Sequence, residues 1–340
     1  MLNFKNDYTE LAHEKILKKI IDVNKEFDEP YGFDSYSEKT ENLIRKKLEN
    51  NEIDVHFISG GTQANIVAIS SGLYPFESVI ATDISHINGH ETGAIELTGH
   101  KIHGIPHING KLNLAKTKEF YKTTINAEYM AVPKLICLTN ATEYGTYYTK
   151  KELEEIYKFC KESDMYLFID GARMATALSA KKNDIEYSEL CNLCDMFYLG
   201  GTKNGAMLGE ALVIVNDQLK KNYKNAIKQR GAMLAKGRLM SIQFYELFID
   251  DLYIRLAEHA NDMANKLRSV LKKNKFEIYL ESDTNQTFVI MDNDYISELE
   301  KNIRFSNLEV VDEKRSLVRF VTSWATVEDD IAELEKILKQ

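Results

Sequence analysis

Between residues 55 and 215 the chain repeats one pattern. A short apolar run stops at a glycine or a polar residue, and a stretch with helical spacing follows. The runs cover 55–59, 78–82, 101–104, 134–139, 165–170, 195–200 and 210–215, with helical stretches at 63–72, 92–97 and 150–163 among them. Runs this short and this apolar predict strands buried on both faces, so the expected fold is α/β, with a mainly parallel sheet flanked by helices. Ahead of it, Leu11, Ile16, Leu17, Ile20 and Ile21, then Leu43, Ile44 and Leu48, recur at helical spacing around a turn-rich segment at 29–35. After about residue 250 the texture changes. A helix at 252–271, strands at 276–280, 287–291, 308–311 and 317–322, and a helix at 327–338 predict a small α+β unit. The expected division is 1–245 for the large unit, with its N-terminal helical segment, and 246–340 for the small one.

Composition limits the function. The 340 residues carry 43 Lys+Arg against 52 Asp+Glu, a net charge of −9 that disfavours nucleic acid as a partner. No run approaches the roughly 18 apolar residues of a membrane span, and the first ten residues lack the apolar core of a secretory signal. Four cysteines make no disulfide framework in a chain of this length. Together these features lead to an expectation of a soluble, cytoplasmic protein.

Ligands of open α/β sheets bind at the carboxyl ends of strands, so the polar residues there are the candidates. Gly60, Gly61 and Thr62 stand between a strand and a helix, where free N–H groups hold an anion; an ordinary turn would look the same. The segment is neither G-x-G-x-x-G nor a P-loop. Asp170 ends an apolar strand, either as a helix cap or as a functional carboxylate, and Arg173 follows to grip a carboxylate or to pair with Asp170. Lys203 sits among glycines and small apolar residues. Burial there would lower its pKa and make it a nucleophilic amine, although most lysines are solvated. A phosphate cradle, an acid and a lysine form the set that pyridoxal 5′-phosphate requires, and His86 after the second strand could stack on its ring. His86 and His90 with Glu91 do not have the H-E-x-x-H order, so no metal site is expected. Cys191 and Cys194, a single C-x-x-C, read as core-facing.

The chain resembles the threonine aldolase (β-eliminating lyase) family of fold-type I pyridoxal-phosphate enzymes. The matching residues are 59–65, His86 with 91–94, Asp170-Gly171-Ala172-Arg173, 201–205, 283–285 and 318–322, with 4–7 standing for an opening strand. The resemblance implies low-specificity retro-aldol cleavage of L-threonine or L-allo-threonine to glycine and an aldehyde. Lys203 would hold the cofactor in a Schiff base, and Asp170 would face its pyridine nitrogen. Gly60, Gly61, Thr62 and Thr202 would bind phosphate, and His86 would stack. Arg173, Arg319 and Asn6 would bind the substrate carboxylate. One of Arg230, Lys236 and Arg238 would reach the phosphate of a neighbouring subunit in a homodimer or homotetramer. Another lyase, racemase or aminotransferase on the same fold, or a non-catalytic homologue, are the alternatives. Relatives often carry a histidine in the loop after the fourth strand. Here residues 139–145 have none, so the base for the β-hydroxyl stays open between His86 and a water that it orients.

Overall fold

The computed structural model describes residues 1–339. Its strands are β1 (Leu2–Asn3), β2 (Asp54–Ile58), β3 (Glu77–Thr82), β4 (Ile102–Ile105), β5 (Val132–Thr139), β6 (Tyr166–Asp170), β7 (Met196–Gly200), β8 (Glu210–Ile214), β9 (Glu277–Ile278), β10 (Gln286–Asp292), β11 (Ile303–Arg304), β12 (Ser306–Val310) and β13 (Arg315–Val321). Seven of them form the main sheet in the order β2-β8-β7-β6-β5-β3-β4. Only β8 runs antiparallel to its neighbours. Alternate residues serve opposite faces. Ile80, Ile136, Leu138, Ile169, Leu199 and Val213 enter one apolar layer, while Val79, Leu135, Cys137, Phe168, Tyr198 and Leu212 enter the other. This is the mainly parallel, doubly covered sheet that the pattern of apolar runs predicts. Cys191 and Cys194 are both buried and free.

The second layer of structure is a four-stranded antiparallel sheet, β12-β13-β10-β9, with helix Glu328–Leu338 contributing to its core. Helix Leu252–Lys273 packs on both units, against helix Met174–Leu178 and against Glu328–Leu338. Asp250 and Asp251 interrupt the helical run between Ile249 and Leu252. The chain start does not stay with the large unit. β1 pairs with β11 in parallel, and Phe4 is buried in the apolar cluster of the C-terminal unit. The opening strand expected over 4–7 is therefore β1, two residues long, and residues 4–7 run on past it toward the cleft. The helix expected at 92–97 is also displaced. A short helix occupies His86–Gly89 and a single 3-10 turn Glu96–Thr98, with Thr92 and Gly93 at positive φ between them. Among the described residues no helix is long and apolar enough to cross a membrane.

The carboxyl ends of β2, β3, β5, β6 and β7 lie on one edge of the main sheet. Close approach of β6 and β7 there depends on Gly171. Its carbonyl accepts the Gly200 N–H at 3.0 Å, and a Cβ at 171 would run into the Tyr198 carbonyl oxygen. Backbone cannot yield as a flexible side chain does. Gly171→Ala is therefore expected to destabilise the fold by about 3 kcal/mol, in the upper range for overpacking. A chemical denaturation midpoint checks this.

Candidate active site

Helix Gly61–Gly72 begins directly after β2. Its cap position is Gly60, which offers no side chain to the helix start. The first intrahelical bond is Ala64 N–H to Gly60 O, at 2.9 Å, so the N–H groups of Gly61, Thr62 and Gln63 precede the ladder and remain available to an anion. One turn inward, the same helix buries Asn65.

Asn65 joins two carboxylates. Its Nδ2 donates to Asp170 Oδ2 at 2.9 Å and to Glu91 Oε1 at 2.8 Å. Asp170 Oδ1 accepts the Ala172 N–H at 3.1 Å and the Tyr198 hydroxyl. Glu91 Oε1 also meets His86 Nδ1 at 2.8 Å, so a continuous polar chain runs from Asp170 through Asn65 and Glu91 to His86. Asp170 is buried, and the His86 side chain is 41% exposed, presenting its ring at the edge of the network. Asn65 Oδ1 and Glu91 Oε2 are buried without partners among the described residues.

Lys203 follows β7 in a tight loop. Gly205 within it adopts φ +88°, and a Cβ there would press on Leu256, so glycine fits where another residue would not. Lys203 is half-buried, with Nζ lying 5.8 Å from the centre of the Tyr8 ring. Burial lowers its pKa and Arg173 lowers it further, while Asp7, Asp170 and Glu210 oppose the shift. The expected nucleophilic amine is thus set among the groups that tune it.

Arg173 does not pair with Asp170 but with a carboxylate from the chain start. Its Nε and Nη2 grip Asp7 Oδ2 and Oδ1 at 2.7 and 3.0 Å, and Asp170 is not its partner. Asn285 Nδ2 adds a third bond to Asp7 at 2.9 Å. Burial works to raise the Asp7 carboxyl, but Arg173 and Lys203 outweigh it and hold the pKa below the usual carboxylate value. Asn6 Oδ1 accepts the Tyr8 N–H at 3.1 Å.

Arg319 is the least satisfied cation of the group. Nη1 donates to Gln286 Oε1 at 3.3 Å, and Nε is buried without a partner among the described residues. Burial and the nearby Arg173 lower its pKa to about 10. A guanidinium in this condition calls for an anion.

Thr202 is hydrogen-bonded within its own loop and to the strand that follows it. Its Oγ1 is 2.8 Å from Glu210 Oε1 and accepts the Gly209 N–H at 3.1 Å, so the single hydroxyl proton is committed. Glu210 also accepts the Gly201 N–H at 2.9 Å, and burial lifts its pKa to about 7. Arg230 Nε bonds to Ser70 Oγ at 3.1 Å on helix Gly61–Gly72, while Arg238 Nη2 bonds to Glu26 O at 2.8 Å and leaves Nη1 buried and unpartnered. Sequence reasoning missed the contacts of Asp7, Tyr198 and Glu210. Asn65 and Glu91 carried a signal, since both lie in matching segments, but nothing in their spacing showed that they touch.

A sheet edge with an anion-binding helix start, a strand-end carboxylate and a tuned lysine defines the class: a fold-type I pyridoxal-phosphate enzyme. The model of the β-eliminating lyase family matches residues 12–294, and the chain belongs to that family, whose members depend on pyridoxal phosphate. It is 30% identical over 319 residues to the low specificity L-threonine aldolase of Pseudomonas sp., covering 92% of this chain and 90% of that one. The solved structure of Leishmania major threonine aldolase superposes with a TM-score of 0.97 at 44% identity, covering 100% of this chain and 99% of that one. A histidinol-phosphate aminotransferase from Clostridium acetobutylicum, 16% identical, shares the fold at a TM-score of 0.74, covering 100% of this chain and 98% of that one.

Proposed function

We propose that this chain is a pyridoxal-phosphate-dependent aldehyde-lyase that cleaves L-threonine, L-allo-threonine and related β-hydroxy-α-amino acids to glycine and an aldehyde. Support comes from the family, from relatives named low specificity L-threonine aldolase, and from the residues at the sheet edge. The observation that carries the reading is Lys203, half-buried and depressed in pKa by burial and Arg173, beside the buried carboxylate of Asp170.

The residues fit the cofactor. The start of helix Gly61–Gly72, with Gly60, Gly61 and Thr62, would take the phosphate. Lys203 would hold the aldehyde carbon covalently, Asp170 would accept from the ring nitrogen, and His86 would lie against the ring. When bound, pyridoxal phosphate supplies an electron sink for the pair released as Cα–Cβ breaks. Asn65 and Tyr198 hold Asp170 in place, so its charge is oriented before substrate arrives. Arg319 would bind the substrate carboxylate through its unpartnered Nε, with Arg173 beside it anchored by Asp7. Fixing the carboxylate also fixes which bond at Cα stands in line for cleavage. We further propose a homodimer or homotetramer in which Arg230 or Arg238 reaches a neighbouring subunit's phosphate, and a cytoplasmic location.

The test is product analysis with L-threonine. Equal yields of glycine and acetaldehyde support the reading. 2-Oxobutyrate with ammonia, threonine epimerised at Cα, or amino transfer to an oxo acid would replace it with another reaction on this fold. Arg319→Leu should raise KM for L-threonine at least about tenfold, as expected for a lost charge-assisted bond. Its denaturation midpoint should not fall, because the guanidinium it removes is partly desolvated and under-bonded. Steady-state kinetics and denaturant melts check the pair.

A further inference from the structure

The loop after β5 has no histidine between residues 139 and 145, and it holds a carboxylate, Glu143, next to His86. Glu143 Oε1 accepts the His86 backbone N–H at 2.8 Å and the Thr139 hydroxyl at 2.8 Å. Thr139 is the register partner of Asp170 across β5 and β6, so Glu143 is fixed one residue pair from the pyridine-facing carboxylate. The loop is tied to the carboxylate side as well. Gln286 Nε2 donates to Thr142 O at 3.2 Å, and Gln286 Oε1 accepts from Arg319 Nη1 at 3.3 Å. Glu143 thus lies between the residue proposed to cover the cofactor ring and the arginines proposed to hold the substrate carboxylate. The substrate's β-carbon has to occupy that interval. Oε2 makes no hydrogen bond among the described residues, and the side chain is half-buried. His86 Nδ1 is held by Glu91 Oε1, which leaves Nε2 as the rival acceptor that the variants below must separate from Glu143.

We propose that Glu143 is the catalytic base for the β-hydroxyl proton. This rests on the aldolase reading above. The carboxylate takes the hydroxyl proton, and the O–H electron pair becomes the second C–O bond of the aldehyde. The Cα–Cβ pair stays with the glycine fragment. Cα then gains a proton from water and Glu143 returns its own, so one proton has moved in net from oxygen to carbon. Burial raises the Glu143 pKa above the usual carboxylate value and the nearby Asp170 adds to this, while the bonds from Thr139 and His86 lower it. Arg173, Cys137 and Tyr148 are the other titratable groups close enough to feel it. A base shifted this way is better matched to a hydroxyl proton than an ordinary surface carboxylate.

Two reactions of the pyridoxal-phosphate-loaded protein separate this role from a structural one. Cleavage of L-threonine needs the hydroxyl base, whereas exchange of the glycine α-hydrogen with deuterated water, read by NMR, does not. Glu143→Gln should lower kcat for cleavage by about 10²- to 10⁴-fold and leave glycine exchange and the cofactor's visible spectrum within about threefold of native. Thr139→Val, nearly isosteric, removes one bond that lowers the Glu143 pKa, so the acid limb of kcat/KM should move to higher pH without moving that of exchange. Equal loss of both reactions in Glu143→Gln, undiminished cleavage in it, or an unmoved limb in Thr139→Val overturns the proposal. Native protein that exchanges glycine but leaves threonine intact sinks the aldolase reading instead.

Discussion

Lys203→Ala is expected to abolish threonine cleavage, by on the order of 10⁴-fold or more, as for removal of a covalent catalytic group. The same change should cost the apo protein less than about 1 kcal/mol, because two terms oppose. Truncation loses the packing of the aliphatic stem. It also removes an amine whose charged form is disfavoured by burial and by Arg173. Borohydride reduction after loading with pyridoxal phosphate gives a direct readout. Native protein should carry the reduced cofactor's mass on the peptide containing Lys203, and the variant should carry none. A variant that retained the label at another lysine, or retained cleavage, would remove Lys203 from the chemistry.

The parallel sheet was legible because strands buried on both faces need unbroken apolar runs, and helices between them need spaced ones. Where each run stops, the strand ends at the sheet edge, so the placement of Gly60, Asp170 and Lys203 there could be read from position alone. Contacts between distant segments were not legible. Arg173 was expected to hold substrate or Asp170. Its partner, Asp7, lies at the other end of the sequence, brought over by β1 as it pairs with β11. No periodicity marks a two-residue strand. Thr202's partner was not legible for a related reason. Beside a cofactor lysine it reads as a phosphate donor, but β7 and β8 are antiparallel, and Gly200 sits opposite Glu210, which takes the hydroxyl first. His86 was located correctly at a strand end, while the helix placed after it by spacing is mostly turn. Thr92 and Gly93 at positive φ break the helical path there.

Asp7→Ala should destabilise the fold by about 3–5 kcal/mol, the range for breaking one side of a buried pair. The Arg173 side chain is 11% exposed and that of Asp7 1%, so solvent cannot replace the lost carboxylate. Asn285 would also lose an acceptor. The pH dependence follows from the depressed Asp7 pKa. With the folded value below the unfolded one, the contribution is complete above the unfolded carboxylate pKa and is lost as pH falls through the folded one. Native protein should therefore lose this increment on acidification, and the variant, having none to lose, should show a flatter acid limb in denaturant midpoints. Replacing both partners, Asp7→Leu with Arg173→Met, should recover most of the stability, because neither charge is left stranded. It should not recover threonine binding, since Arg173 would be gone from beside Arg319. A double variant as unstable as Asp7→Ala would mean that packing, and not the stranded guanidinium, sets the cost.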